Sequence, residues 1–87
     1  MAVVWIPALV RDLTRGTAQV HVSGATLRQV IDNLECRYPG LKARLCQDDG
    51  LVPHVAAFVD GRRAWLGVSQ PVGEQSEIHF LPATAGG

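Results

Sequence analysis

The pattern of apolar and polar positions divides the chain into short segments separated by turn residues. Residues 3–6 are β-branched and aromatic and are followed by Pro7, which predicts a short first strand. Apolar and polar residues then alternate over residues 17–22, so Ala18, Val20 and Val22 share one face of a second strand. We expect these two strands to pair as an antiparallel hairpin.

One main helix is predicted after this hairpin. Thr26 and Gln29 have the spacing of a capping box, in which the Thr hydroxyl accepts from the Gln amide while the Gln side chain reaches back. Pro39 and Gly40 end the helix, and residues 41–45 are expected to add one turn. Charged residues are expected to face water (Arg28, Asp32, Glu35 and Arg37), opposite an apolar face (Leu27, Val30, Ile31, Leu34 and Tyr38).

Three further strands are predicted in the second half of the chain. Residues 55–59 are almost wholly apolar, which is typical of a central strand. Asp60 and Gly61 are a strong hairpin signal, and the chain returns through residues 62–66. A last strand is predicted over residues 76–81, and irregular connections are predicted at residues 8–16, 47–50 and 67–73.

The resulting order, β-β-α-β-β-β, is that of an α+β fold in which one helix packs on one face of a mixed sheet. At this length the best-known form is the β-grasp, or ubiquitin-like, roll, in which the last strand lies inside the sheet beside the first. We therefore predict a β-grasp domain over residues 1–81 and a flexible C-terminal tail over residues 82–87.

The predicted tail is built for access by another molecule. Glycine has no Cβ, so Gly86 and Gly87 present an unhindered carboxylate that a narrow channel can admit. Pro82 sets a stiff, extended exit, and residues 82–87 can reach roughly 20 Å. The alternative interpretation is a frayed end with no function. The candidate site consists of Gly87, with Gly86, Ala85, Thr84, Ala83 and Pro82 recognised by partners.

Composition narrows the class of protein. The chain has 87 residues, 47% of them hydrophobic and 18% charged, which predicts one folded domain. Basic and acidic residues balance at eight each, so we expect no nucleic-acid partner. No apolar run is long enough to span a bilayer and no signal peptide is evident, so we expect no membrane partner and a cytoplasmic location.

Cysteine and histidine do not suggest a site. Cys36 and Cys46 have neither metal-ligand spacing nor a disulfide pattern, and we expect small, partly buried thiols, with Cys46 the more exposed. His21, His54 and His79 match no ligand motif and are interpreted as surface residues. No metal site is predicted.

Four other residues are candidates for contacts with partners. Arg62 and Arg63 follow a predicted turn, where they are expected to be solvated unless they meet an acidic partner. Trp5 and Trp65 are expected to pack in the core or at an edge. If either were exposed, it would mark a docking face for a partner enzyme.

Lys42 is the sole lysine, so any linkage of one copy to another through an internal amine would use it.

The chain resembles the ubiquitin-like sulfur-carrier family, which includes the small subunit of molybdopterin synthase, the thiamine sulfur carrier and the carrier of a cysteine-forming pathway. The likeness covers nearly the whole chain, including the helix start at Thr26, the Phe-Val-Asp-Gly of residues 58–61 and Gly73-Glu74. Its most specific part is Ile-His-Phe-Leu-Pro-Ala-Thr-Ala-Gly-Gly over residues 78–87, which resembles the cysteine-pathway carrier most closely. Family members often have Gly-Asp before the last strand, so Glu74 is a mild departure.

The resemblance implies a non-catalytic carrier that binds no cofactor. An E1-like adenylating and sulfurtransferase enzyme would use ATP and Mg²⁺ to activate Gly87 and convert it to a thiocarboxylate, which then passes sulfur to a synthase. The free carrier is expected to be a monomer. Alternatives are the small subunit of molybdopterin synthase, a ubiquitin-like protein modifier, and an interaction module whose tail is incidental.

Overall fold

The computed structural model describes residues 1–83. In chain order the elements are β1 (Ala2–Trp5), β2 (Gln19–Val22), α1 (Leu27–Arg37), α2 (Leu41–Leu45), β3 (Cys46–Gln47), β4 (Gly50–Leu51), β5 (Val55–Val59), β6 (Arg62–Arg63) and β7 (Glu77–Pro82), with short 3₁₀ turns at Ala8–Val10 and Gly67–Ser69. None of these helices is long and apolar enough to cross a membrane.

The main sheet has five strands in the order β2-β1-β7-β5-β6. Strand β1 pairs antiparallel with β2 and parallel with β7, while β5 pairs antiparallel with both β7 and β6. The last strand therefore lies in the middle of the sheet, between the first strand and β5. This is the predicted β-grasp topology, and the predicted first hairpin is confirmed.

One layer of apolar side chains joins α1 to the sheet. Its helix side is formed by Leu27, Val30, Ile31 and Leu34, all with at most 1% exposure. The facing positions of the sheet alternate as predicted, so Val4, Ile78 and Phe80 are buried. Each such side chain stabilises the fold by about 1.5–3 kcal/mol relative to leaving it exposed.

Both ends of α1 are fixed by side chains. Thr26 Oγ1 accepts from the Gln29 amide at 3.3 Å, and Gln29 Oε1 accepts from the Ala25 amide at 2.8 Å, one residue before the cap. At the other end, Glu35 was expected only to face water. Its carboxylate instead accepts from the amides of Gly40 and Lys42, and these bonds lower the pKa of Glu35.

Three local predictions were wrong. Residues 47–50 were expected to be loop, but β3 and β4 form a two-stranded hairpin whose turn places Asp48 and Asp49 at φ 51° and 65°. The strand after Asp60 and Gly61 covers two residues instead of residues 62–66. Strand β7 runs to Pro82 rather than ending at residue 81.

The edge strand β2 is partly covered by α1. Asn33 Nδ2 donates to the Ser23 carbonyl at 2.7 Å, and an Arg37 guanidinium nitrogen donates to the His21 carbonyl at 3.1 Å. The His21 carbonyl lies on the side of β2 that faces away from β1, and the Ser23 carbonyl follows directly after the strand. Two acceptors that another strand would need are therefore already used.

Candidate functional site

The predicted tail leaves the sheet from a firmly held strand. Within β7, Ile78 lies between Val4 of β1 and Val59 of β5, and Pro82 pairs with Val55. Beyond the strand, the Ala83 amide donates to the His54 carbonyl at 3.0 Å. Pairing thus continues two residues past the predicted domain boundary at residue 81, because a strand can end on proline where its nitrogen is not needed as a donor.

Pro82 and Ala83 are the only predicted site residues that the structure describes. Pro82 is exposed and Ala83 is half-buried. Thr84, Ala85, Gly86 and Gly87 lie outside the described residues. The structure therefore defines where the candidate tail begins.

A carboxylate ties the start of β7 to the β5–β6 turn. Asp60 is at φ 53°, and its Oδ1 accepts from the Glu77 amide at 2.9 Å while its Oδ2 accepts from the Ser76 hydroxyl at 2.8 Å. The Ser76 oxygen also accepts from the Gly73 amide at 2.8 Å. The two bonds to the carboxylate, from the Glu77 amide first and then from the Ser76 hydroxyl, lower the pKa of Asp60. The two ends of β7 are thus held independently of each other.

The sheet face opposite α1 carries a continuous row of aromatic and cationic side chains. Strand pairing places Trp5 beside His79, His79 beside Phe58, and Phe58 beside Arg63. The Trp5 and His79 rings stack with centroids 5.3 Å apart, and the Arg63 guanidinium carbon lies 4.7 Å from the Trp65 ring centroid. We call these five residues the aromatic row.

Trp65 is 80% exposed, so the expectation that it packs in the core or at an edge was wrong. Arg63 was expected to be solvated, but it lies between two rings, with its guanidinium carbon also 6.0 Å from the Phe58 centroid. A cation over an aromatic face contributes about 0.5–1 kcal/mol at an exposed site. The pair is therefore held in place on the surface, as a docking face requires.

A second apolar surface lies where the tail begins. It is a groove of about 330 Å³, which we call the tail-root groove, lined in part by Pro7, Leu9, Arg44, His54, Phe80 and Pro82. Leu9 is 77% exposed, while the next residue, Val10, is buried and anchors the turn. Arg44 donates to the Leu9 carbonyl at 2.9 Å and so fixes the groove's rim. Sequence periodicity did not indicate this groove, because its residues come from four separate segments.

Cys46 was predicted to be more exposed than Cys36, and this prediction was wrong. Cys36 is exposed and Cys46 is half-buried. Cys36 follows Leu34 by two helical positions, which turns it away from the core, whereas Cys46 packs against the core beside Leu45. Burial raises the pKa of the Cys46 thiol, which makes it a weaker nucleophile.

Lys42 and the histidines complete the ionisable groups singled out from the sequence. Lys42 Nζ lies 2.6 Å from Asp32 Oδ1, and this hydrogen bond raises the pKa of Lys42. His21 is exposed and His79 belongs to the aromatic row. Within residues 1–83, no three His, Cys, Asp or Glu side chains are grouped in a way that could hold a metal ion.

The strand order and the central position of β7 define a small β-grasp, or ubiquitin-like, protein. The ThiS family model matches residues 4–87, and the chain belongs to that family. It is 34% identical to the sulfur carrier protein CysO of Mycobacterium tuberculosis, with 94% of each chain covered.

Solved structures give the same result. A chain of the Amycolatopsis orientalis BexX/CysO complex has a TM-score of 0.92 and 32% identity, with all of both chains covered. Small archaeal modifier protein 1 of Methanosarcina acetivorans has a TM-score of 0.80 at 23% identity, over 99% of this chain and 95% of that one. That second likeness is one of fold alone.

Proposed function

We propose that this chain is a sulfur carrier that provides sulfur for cysteine biosynthesis. Its Gly87 carboxylate is activated by a partner enzyme and converted to a thiocarboxylate. The observation that carries the proposal is the placement of β7 between β1 and β5, which holds the chain as far as Ala83. In a member of the ThiS family, this arrangement supports a short tail presented from a rigid root.

The chemistry needs activation because a carboxylate is a poor electrophile. A Gly87 oxygen attacks the α-phosphorus of ATP, pyrophosphate leaves, and an acyl-adenylate forms. Sulfide then attacks the carbonyl carbon and AMP leaves, so that one oxygen of the carboxylate has been replaced by sulfur. Mg²⁺ on the partner enzyme offsets the phosphate charge during the first step.

In this proposal the catalytic groups belong to the partner, and the carrier contributes positioning. An E1-like adenylating enzyme takes up the tail, and a sulfur-accepting synthase receives the thiocarboxylate. The relative in the A. orientalis complex was crystallised with BexX, which supports a partner-dependent role. The requirement for ATP favours the cytoplasm.

The aromatic row supports docking of the activating enzyme on the sheet face. Leu81, also on this face and 47% exposed, lies between the row and the tail. Aromatic and arginine side chains are the residue types that most often dominate binding energy at protein interfaces. A partner that covers the row is therefore also next to the root of the tail.

Intact-mass measurement tests the proposal. The chain is incubated with its cognate adenylating enzyme, ATP, Mg²⁺ and sulfide, and we expect its mass to rise by one oxygen-to-sulfur exchange. A variant lacking Gly86 and Gly87 is the control and should show no exchange. An unchanged mass for the intact chain, with an enzyme that loads another carrier, would contradict the proposal.

Other outcomes identify the alternatives. A protein modifier would be recovered attached to lysines of other proteins. The small subunit of molybdopterin synthase would pass its sulfur to a large synthase subunit and not to a cysteine-forming enzyme. An interaction module would keep its partner and its pathway output after removal of Gly86 and Gly87.

A further inference from the structure

We infer that the tail-root groove is a second contact surface for the activating enzyme, and that it receives an apolar side chain flanked by a carboxylate. The inference rests on the proposed function, because it takes Gly87 as the group on which the enzyme acts. It adds a surface beyond the five residues of the aromatic row and adjoins that face at Leu81.

The tail is short, so an enzyme that acts on Gly87 must come close to the groove. Only Thr84–Gly87 separate Ala83 from the proposed reaction centre. Four residues span at most about 13 Å, even when fully extended. An enzyme that encloses the Gly87 carboxylate must therefore come within that distance of Ala83. Since Ala83 and Pro82 themselves line the groove, the enzyme then lies close enough to contact it.

The groove combines an apolar lining with one arginine at its rim. Leu9 presents most of its side chain to solvent at the rim, and Phe80 and Pro82 provide an apolar floor and wall. Arg44 is the only Asp, Glu, Lys or Arg side chain among the described lining residues. An apolar side chain with a neighbouring carboxylate is the complementary surface for such a site.

Hydrogen bonds hold the rim of the groove in the free protein. The Arg44 bond to the Leu9 carbonyl joins α2 to the 3₁₀ turn, and a second arginine, Arg11, donates from Nε to the Ile6 carbonyl at 3.0 Å. Val10 is buried beneath the same turn. The rim is thus held in one position before any partner arrives, which reduces the ordering cost of binding.

The experiment compares Leu9→Ser with Leu9→Met in the loading reaction, using the cognate adenylating enzyme, ATP, Mg²⁺ and sulfide. Because Leu9 is exposed, both variants should fold normally, as checked by circular dichroism. We expect Leu9→Ser to raise the KM for the carrier about tenfold with kcat unchanged, the signature of lost uniform binding. Leu9→Met keeps an apolar side chain of similar size and should load like wild type.

Arg44→Glu provides an independent variant, since it places a like charge opposite the expected carboxylate. We expect a KM increase of at least tenfold that becomes smaller at high salt. Cys36→Ser, on the exposed face of α1, is the control for an unrelated surface change. If Leu9→Ser and Arg44→Glu both load with the wild-type KM, the groove inference is wrong. If wild type does not load at all, the proposed function is wrong instead.

Discussion

The Asp60 network should contribute a large share of the stability of the β7 end of the sheet. Replacing Asp60 by Ala removes the acceptors of the Glu77 amide and the Ser76 hydroxyl. Hydrogen bonds to a charged group contribute about 1.5–3 kcal/mol each, and exposure of Asp60 places them at the lower end. Alanine at φ 53° costs about 1 kcal/mol more. We therefore expect Asp60→Ala to lower the free energy of unfolding by about 4 kcal/mol.

Asp60→Asn is the matched variant. Asparagine tolerates the left-handed backbone and keeps one carbonyl acceptor, so the expected loss is about 1–2 kcal/mol. The assay is urea unfolding at pH 7, followed by circular dichroism and fitted to two states. The slope against urea should be the same in all three proteins, because the surface exposed on unfolding does not change.

The pH dependence gives a second check. The pKa of Asp60 is lower in the folded chain than in the unfolded one, so its contribution is fully present above the unfolded value of about 3.9. It is lost as the pH falls through the lowered folded value. The difference in the free energy of unfolding between wild type and Asp60→Asn should therefore become smaller at acidic pH. A stability difference that stays constant from pH 7 to pH 2, or an Asp60→Ala variant as stable as wild type, would show that the Asp60 carboxylate does not stabilise the start of β7.

Three further predictions concern other parts of the molecule. Trp65→Ala should lower the thermal midpoint only slightly, because the side chain is exposed and its removal costs little more than the contact with Arg63, but it should raise the KM of loading several-fold; an unchanged KM would remove the aromatic row from the interface. Asn33→Ala combined with Arg37→Ala should make the monomer associate, seen as a concentration-dependent sedimentation coefficient, and a variant that sediments as wild type does would show that the β2 edge needs no cover. Gly24→Ala should lower the free energy of unfolding by about 1–3 kcal/mol in a denaturant titration, since a Cβ there would lie 2.8 Å from the Val30 nitrogen at φ 156°; wild-type stability would contradict the close contact.

Much of the fold could be predicted because each local signal agrees with the tertiary structure. The helical spacing from Leu27 to Leu34 produces a single buried face, and the alternation around Ile78 and Phe80 matches the pleat of β7. Asp60 and Gly61 form the predicted turn at φ 53° and 81°. The spacing of apolar residues and the residue types of turns depend on neighbours in the chain, so they can be recognised from the sequence alone.

The features that sequence did not predict depend on tertiary contacts. Asp48 and Asp49 turn a hairpin without a central glycine, and its strands have only two residues each, too few to show a period. Trp65 is 80% exposed although a large aromatic side chain is expected to pack, and its contact with Arg63 depends on how the short strand β6 is placed. The tail-root groove is formed by segments that are distant in sequence, including the one that contains Leu9. A local sequence pattern cannot show that these segments lie together in the fold.

In the proposed function, a rigid β-grasp domain presents Gly87 to be loaded with sulfur. Tandem mass spectrometry of the C-terminal peptide after the loading reaction tests it most directly. We expect a single oxygen-to-sulfur exchange located at Gly87. Sulfur found instead on a side chain such as Cys36, with Gly87 unmodified, would contradict it.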